Sequence, residues 1–425
     1  MNIDLISEKS YIGGQPHEQF EWLRENSPIY WHMSGEKSGF WALTRYKDVY
    51  EVNKDSERFT STQGILYPSA FERFGPLAEE WKAEWSRKVE LGEIDPDNPE
   101  PHRPSMLEMD PPNHTEYRKL IRKSFSKRSA EDYIARAKDI AKMIVDDVID
   151  KGECDFVYDV AGRMAGCVTA DIMGLPIEDG QRLYEFTEIY HSANGRLSTD
   201  QLRERLASME LYIAEVAEKI RLNPCDDLGS KILLGKVDNE SLTYRDFFAQ
   251  YTLILNGGTD TARNILSVGL YELLSNKDQY DWLMEDLVTR IPAAREELLR
   301  FISPVVYQCR RATCDTKIGT QDIREGQGLV MYYGAANRDP LIFDEPNKLN
   351  LSRKENRHLA FGGGHHVCVG QWLAKVEIDA LLHEVLSRMT DIKINRKVDW
   401  LGSNFVFGLD RMDITFKSFS HKLNA

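Results

Sequence analysis

Ten residues near the carboxyl end constrain this chain more than any other stretch: Phe361-Gly362-Gly363-Gly364-His365-His366-Val367-Cys368-Val369-Gly370, followed at once by the helical run Gln371 to Leu386. A cysteine at the first turn of a helix feels the positive end of the helix dipole and unpaired backbone N–H groups, and both favour an anionic, metal-ligating sulfur. Gly362, Gly364 and Gly370 bracket it, and without a Cβ they let the chain turn tightly and let backbone approach the sulfur. An isolated cysteine is most often a small buried hydrophobe. A zinc shell would draw on His365, His366 and Cys368, but no second CxxC or HxxxH lies nearby to complete four ligands.

The chain is long enough, at 425 residues, to bury a sizeable group inside its core. Its net charge of −14 and the lack of any long Lys/Arg run argue against a nucleic-acid partner. Asp4, Glu8, Lys9 and Glu18 interrupt the amino terminus, and no run of about eighteen apolar residues occurs, so neither a signal peptide nor a membrane anchor is expected and the location is cytoplasmic. The six cysteines form no redox or zinc spacing and read as reduced thiols.

With no repeat and no low-complexity linker, residues 1–425 read as a single domain, mainly α with a small β region. Ser129 is expected to cap a helix over Ala130 to Lys151 with an apolar stripe from Ile134 to Val148. Further helices are expected at about 178–193, 198–222 and 278–288. A hairpin joins residues 28–32 to 40–44, with later strands at 328–333 and 411–417. The stretch from Tyr67 to Pro104 carries a charged segment, Glu79 to Trp85, and then the acidic, proline-rich Asp95 to Pro101. Its composition suits a solvated surface insertion.

The longest helical run spans Thr243 to Leu274, begins with the capping-box pattern Thr243-x-x-Asp246 and is expected to open at its centre, Gly257-Gly258-Thr259-Asp260-Thr261. Two glycines inside a helix cost about 1 kcal/mol each relative to alanine. Either helix packing or a groove for a small ligand offsets that cost, and the acid and alcohol that follow suit proton delivery into a dry pocket. His114 and Arg118 lie four apart after Pro112 and face one way on a helix. Glu297 and Arg300 form an E-x-x-R pair, with Pro292 expected in the first turn of their helix.

The cysteine string matches F-G-x-G-x-H-x-C-x-G at every fixed position, and with the other four motifs in order the chain resembles the cytochrome P-450 family over about residues 15 to 417. That resemblance implies haem b (iron protoporphyrin IX) with Cys368 as the axial ligand of its iron, and Phe361, Gly362 and Gly370 in the surrounding loop. His366, His114, Arg118 and Arg310 are implied to meet the propionates, Asp260 and Thr261 to serve oxygen activation, and Glu297 and Arg300 a structural ion pair. Leu253, Asn256, Gly257, Val306, Phe405, Val406 and Phe407 are implied to face haem or substrate. The resemblance also implies a substrate lid over the stretch from Tyr67 to Pro104, a reading that weighs equally with the solvated insertion.

The implied activity is insertion of one atom of O2 into a C–H bond of a hydrophobic small molecule such as a terpenoid or sterol. Electrons would come from a ferredoxin and its NAD(P)H-dependent reductase, since no sequence remains for a fused redox module. Arg122, Lys123, Lys127 and Arg128 offer either a docking patch for an acidic carrier or a merely solvated basic face. A peroxygenase driven by hydrogen peroxide and a non-catalytic haem sensor or carrier are the alternatives.

Overall fold

The computed structural model describes residues 1–35, 38–67, 76–91, 104–191 and 197–419. Its organising element is the helix Tyr244–Ser275, 32 residues long. Its start is locked by a reciprocal capping box, in which the Thr243 hydroxyl accepts from the Asp246 N–H and the Asp246 carboxylate accepts from the Thr243 N–H. The amino-terminal half buries Phe247, Tyr251 and Leu255 in one apolar cluster, while Ile265, Leu266, Val268, Leu270 and Leu273 belong to another. Residues 256–261 therefore sit where two cores meet.

The expected opening at the glycine pair does not occur: the helix is continuous there. Thr261 donates its hydroxyl to the Gly257 carbonyl at 2.7 Å, and Gly258 lies so close to the helix Arg163–Ile172 that a Cβ would come within 2.7 Å of Thr169 Oγ1. Close packing offsets the cost of one glycine.

The other helices follow their apolar periodicity. Gly180–His191, Thr199–Leu222 and Lys277–Glu285 lie where expected, but the run after Ser129 divides into Lys127–Asp132 and Ile134–Ile149. Ser126, not Ser129, supplies the cap, and Tyr133 breaks the run as its hydroxyl reaches Asp171 at 2.9 Å. Ile134 is consequently exposed, whereas Ala137 to Val148 form the buried stripe. Pro292 lies inside the helix Leu287–Ile302 and not in its first turn, because Asp286, six residues before it, already caps the helix by accepting from the Thr289 N–H.

A five-stranded sheet runs in the order Ile29–Met33, Gly39–Leu43, Gly328–Tyr332, Tyr307–Ala312 and Phe59–Thr60. The expected hairpin forms its edge, with Trp31 opposite Trp41. A three-stranded sheet joins Met389–Ile394, Asp413–Ser418 and Glu153–Asp155. The charged segment before Pro104 includes a helix, Pro76–Glu90, tied to the core by buried Leu77 and by an Arg203–Glu80 ion pair. The acidic proline-rich stretch Asp95 to Pro101 lies outside the described residues.

Candidate haem site

The cysteine loop is shaped by what its glycines allow. Gly364 has φ +64°, and a Cβ there would lie 2.1 Å from the Asn53 carbonyl oxygen, so only glycine fits. The Cys368 N–H donates to the Phe361 carbonyl at 2.9 Å, closing the loop onto itself. The helix Gln371–Arg388 then starts, capped at Gly370. Burial pushes the Cys368 thiol up, while the N–H groups of Gly370 and Gln371 and the Arg118 guanidinium favour the anionic sulfur. All six cysteines are free of disulfides.

Four nitrogen-bearing side chains gather around this loop. Arg118, on the helix Asn113–Ile121, donates to the Val367 carbonyl at 2.6 Å. His114 stands one turn earlier, 2% exposed, with its ring 4.3 Å from that of His366. Arg310, on the strand Tyr307–Ala312, is 3% exposed and donates to the Cys309 carbonyl. Burial beside two guanidiniums disfavours the charged form of both histidines. Burial first, then the neighbouring guanidiniums, lower His114 to about 4 and His366 to about 2. The positive charge of the cluster is carried by the two arginines.

Two of the buried nitrogens, Arg310 Nη2 and His114 Nδ1, have no hydrogen-bond partner among the described residues. Buried donors left unpaired are costly, so the cluster is built for an anionic acceptor. A second observation comes from the central helix. Leu253, Asn256, Gly257 and Thr261 form an accessible strip flanked by buried Ile254, Leu255, Thr259 and Asp260, and a Cβ on Gly257 would meet nothing within 4 Å. The two glycines thus differ: Gly258 serves packing and Gly257 leaves room. Leu253 and Val369, from this strip and from the cysteine loop, pack against the same apolar cluster. A flat group with two carboxylates, ligated by sulfur on one face, fits this donor set.

Of the expected acid–alcohol pair, Thr261 lies on the strip, but Asp260 is drawn off it. Its carboxylate pairs with Arg263 at 3.2 Å and accepts from Asn264 at 3.4 Å. Arg263 is itself fully buried and donates to the Tyr184 hydroxyl. The expected pocket residues divide as well. Val306 is fully buried in the sheet-side core, and the partly accessible residue is its neighbour Val305, bridged to Val406. Phe405 meets Tyr307 edge-on, and Phe407 stacks on Trp400 at 5.2 Å. Asn256 keeps its Oδ1 without a partner.

The Glu297–Arg300 pair is no surface contact. Both residues are 0% exposed and bonded twice to each other at 2.8 Å. Arg300 also donates to the carbonyls of Asn337, Pro346 and Lys348, and Glu297 accepts from Asn350, Arg353 and Asn356. The pair therefore organises the segment that leads into the cysteine loop. Sequence reasoning missed Ser61, which holds His366 Nε2 at 2.9 Å and is in turn fixed by Asp110. Nothing local marks Ser61, whereas Arg263 was detectable from its i,i+3 spacing to Asp260. The zinc arrangement does not form: His366 turns to Ser61 and His114, and the described residues bring no three such ligands together. Among the described residues no helix is long and apolar enough to cross a membrane.

Comparison with known proteins agrees with this geometry. The Cytochrome P450 family model matches residues 182–397. The steroid C26-monooxygenase of Mycolicibacterium smegmatis is 30% identical over 98% of this chain and 96% of its own length. The linalool 8-monooxygenase of Pseudomonas putida is 28% identical over 97% and 98%. A Mycobacterium marinum cytochrome P450 solved in complex with pseudoionone superposes with a TM-score of 0.84 at 31% identity, covering 98% of this chain and 99% of that one. On the family model, the full-length relatives and the shared fold, the chain belongs to the cytochrome P450 family, haem-binding oxidoreductases of the monooxygenase type.

Proposed function

We propose that this P450 hydroxylates a steroid- or terpenoid-like hydrocarbon, with Cys368 as the thiolate ligand and with Arg118, Arg310, His114 and His366 as the donors to the propionates. The observation that carries the residue assignment is the pair of buried nitrogens without a partner among the described residues, Arg310 Nη2 and His114 Nδ1, beside a cysteine whose sulfur receives two backbone amides. The substrate class rests on relatives named for steroid C26, linalool and methyl-branched lipid oxidation, together with a strip on which Asn256 is the polar group available to orient a mostly apolar molecule.

Bound haem supplies the reductive activation of dioxygen and the oxidising power to attack a C–H bond. The chain's own part is to admit the reactants and meter protons. Gly257 leaves the room beside the strip. Thr261, its hydroxyl proton committed to the Gly257 carbonyl, presents oxygen lone pairs toward that room. Asp260 relays protons when its contact with Arg263 loosens. One oxygen atom enters the substrate and the other leaves as water, with two electrons and two protons consumed. Phe405 and Phe407 form the far wall, with Val406, 2% exposed, buried between them.

Electrons arrive from a ferredoxin reduced by an NAD(P)H-dependent reductase, docking on Arg122, Lys123, Lys127 and Arg128. All four are exposed, and the Lys127 ammonium lies 5.6 Å from the ring of Trp372, the second residue of the cysteine helix. This places the basic face beside the thiolate loop. The test is turnover of candidate steroids and terpenoids with purified ferredoxin, reductase and isotopically labelled dioxygen. Product carrying one labelled atom supports the proposal; product formed only with hydrogen peroxide would make the protein a peroxygenase, and its absence with every electron source would leave a haem carrier.

A further inference from the structure

The turn Ser403–Gly408 is held from three sides. Against the sheet, Val306 N–H donates to the Phe405 carbonyl and Phe407 N–H to the Pro304 carbonyl, both at 2.8 Å. Against the central helix, Gly408 sits so close that a Cβ would lie 1.9 Å from Asn264 Oδ1. The third side is the amino-terminal segment. Asn404 Nδ2 donates to the Ile6 carbonyl at 2.8 Å, Ile12 packs near Gly402, and Gly14 lies against the Phe407 ring.

That segment is itself well anchored. Leu5 is 1% exposed, its N–H donates to His32 Nε2 at 3.1 Å, and its carbonyl accepts from the Tyr11 hydroxyl at 3.1 Å. Further along, Gln15 donates to the carbonyls of Ile302 and Ser303, the residues that lead into Pro304 and Val305. Ile3, Ile6, Phe405 and Phe407 pack on one apolar cluster with Val306. The segment therefore grips both halves of the Val305–Val406 bridge.

We propose that residues Ile3 to Gln15 are a specificity-determining strap. They fix how far the Phe405–Phe407 wall reaches into the pocket, so that residues with no substrate contact help to set which ligand sizes fit. The inference rests on the assignment of that turn as a substrate wall, made above. Because side chains in a packed core have few alternative positions, loosening the strap shifts the wall as a unit and leaves the cysteine loop untouched. Leu5 and Asn404 are positioning residues in this scheme.

The test uses full-length, haem-loaded protein and two iron ligands read by their optical shift: imidazole, which occupies only the space next to the metal, and 1-phenylimidazole, which extends toward the wall. Leu5→Ala and Asn404→Ala are expected to change the 1-phenylimidazole Kd by about fivefold, the equivalent of one lost hydrogen bond, with the imidazole Kd unchanged. Asn404→Ala removes the bond to the Ile6 carbonyl and keeps the test open should Leu5→Ala fold poorly. If both variants retain the parent's Kd values while Phe405→Ala alters that for 1-phenylimidazole, the strap is refuted and the wall stands. If Phe405→Ala and Val406→Ala also change nothing, the wall assignment fails and takes the strap with it.

Discussion

Glu377 lies in the cysteine helix, 4% exposed, with Oε1 lacking a hydrogen-bond partner among the described residues. Burial alone raises its carboxyl from 4.5 to about 8. Tyr133 and Cys167 both feel its charge and neither is a cation. In the folded protein this acid stays protonated at neutral pH, whereas in the unfolded chain it ionises above its ordinary value. Folding then takes up a proton, and stability falls as pH rises from about 4.5 to 8, by about 1.4 kcal/mol per unit. Above the folded value the loss levels off.

Glu377→Gln removes this titration while keeping the shape. Between pH 5.5 and 7.5 the variant should gain about 3 kcal/mol on the parent, whatever constant offset the amide introduces. The assay is urea unfolding of both proteins at several pH values, using the change in midpoint multiplied by the common slope. The other titrating groups cancel in the difference. Parallel stability curves across that range would refute the reasoning, since they would mean that Glu377 is already ionised and solvated in the fold.

Three further outcomes follow from named contacts. Gly258→Ala should destabilise by about 1–3 kcal/mol through its clash with Thr169, while Gly257→Ala, whose Cβ meets nothing, should raise urea stability by up to about 1 kcal/mol and weaken binding of bulky iron ligands in optical titration. Arg300→Leu takes from the buried Glu297 carboxylate one of its two guanidinium partners, leaving Arg353, and should cost about 3 kcal/mol, the low end for a broken buried pair, seen as loss of folded protein and of retained haem, with Arg300→Lys only partly restoring both. Reversing the charge of Arg122 and Lys123 should slow ferredoxin-dependent reduction at low salt and leave dithionite reduction unchanged; equal rates with the carrier would remove the docking face.

What the sequence made legible was local. The cysteine string, the capping box at Thr243 and the hairpin at Trp31 and Trp41 are each set by spacing within about fifteen residues, and each appears in the structure. The division of labour between Gly257 and Gly258 was not legible, because it depends on Thr169 approaching one and nothing approaching the other. The same holds for Ser61 under His366, for the lowering of the two histidines by burial and the neighbouring guanidiniums, and for the break at Tyr133, whose hydroxyl reaches Asp171. Val306 faces the core and Val305 the accessible side, a one-residue shift that strand alternation alone leaves undetermined.

The coordination of iron by a single sulfur is open to direct measurement by X-ray absorption at the iron edge of haem-loaded protein. The account predicts one sulfur neighbour in the parent, retained when any of Cys154, Cys167, Cys225, Cys309 or Cys314 is changed to serine and lost in Cys368→Ser. A sulfur neighbour that survives Cys368→Ser, or a parent iron with none, would contradict it.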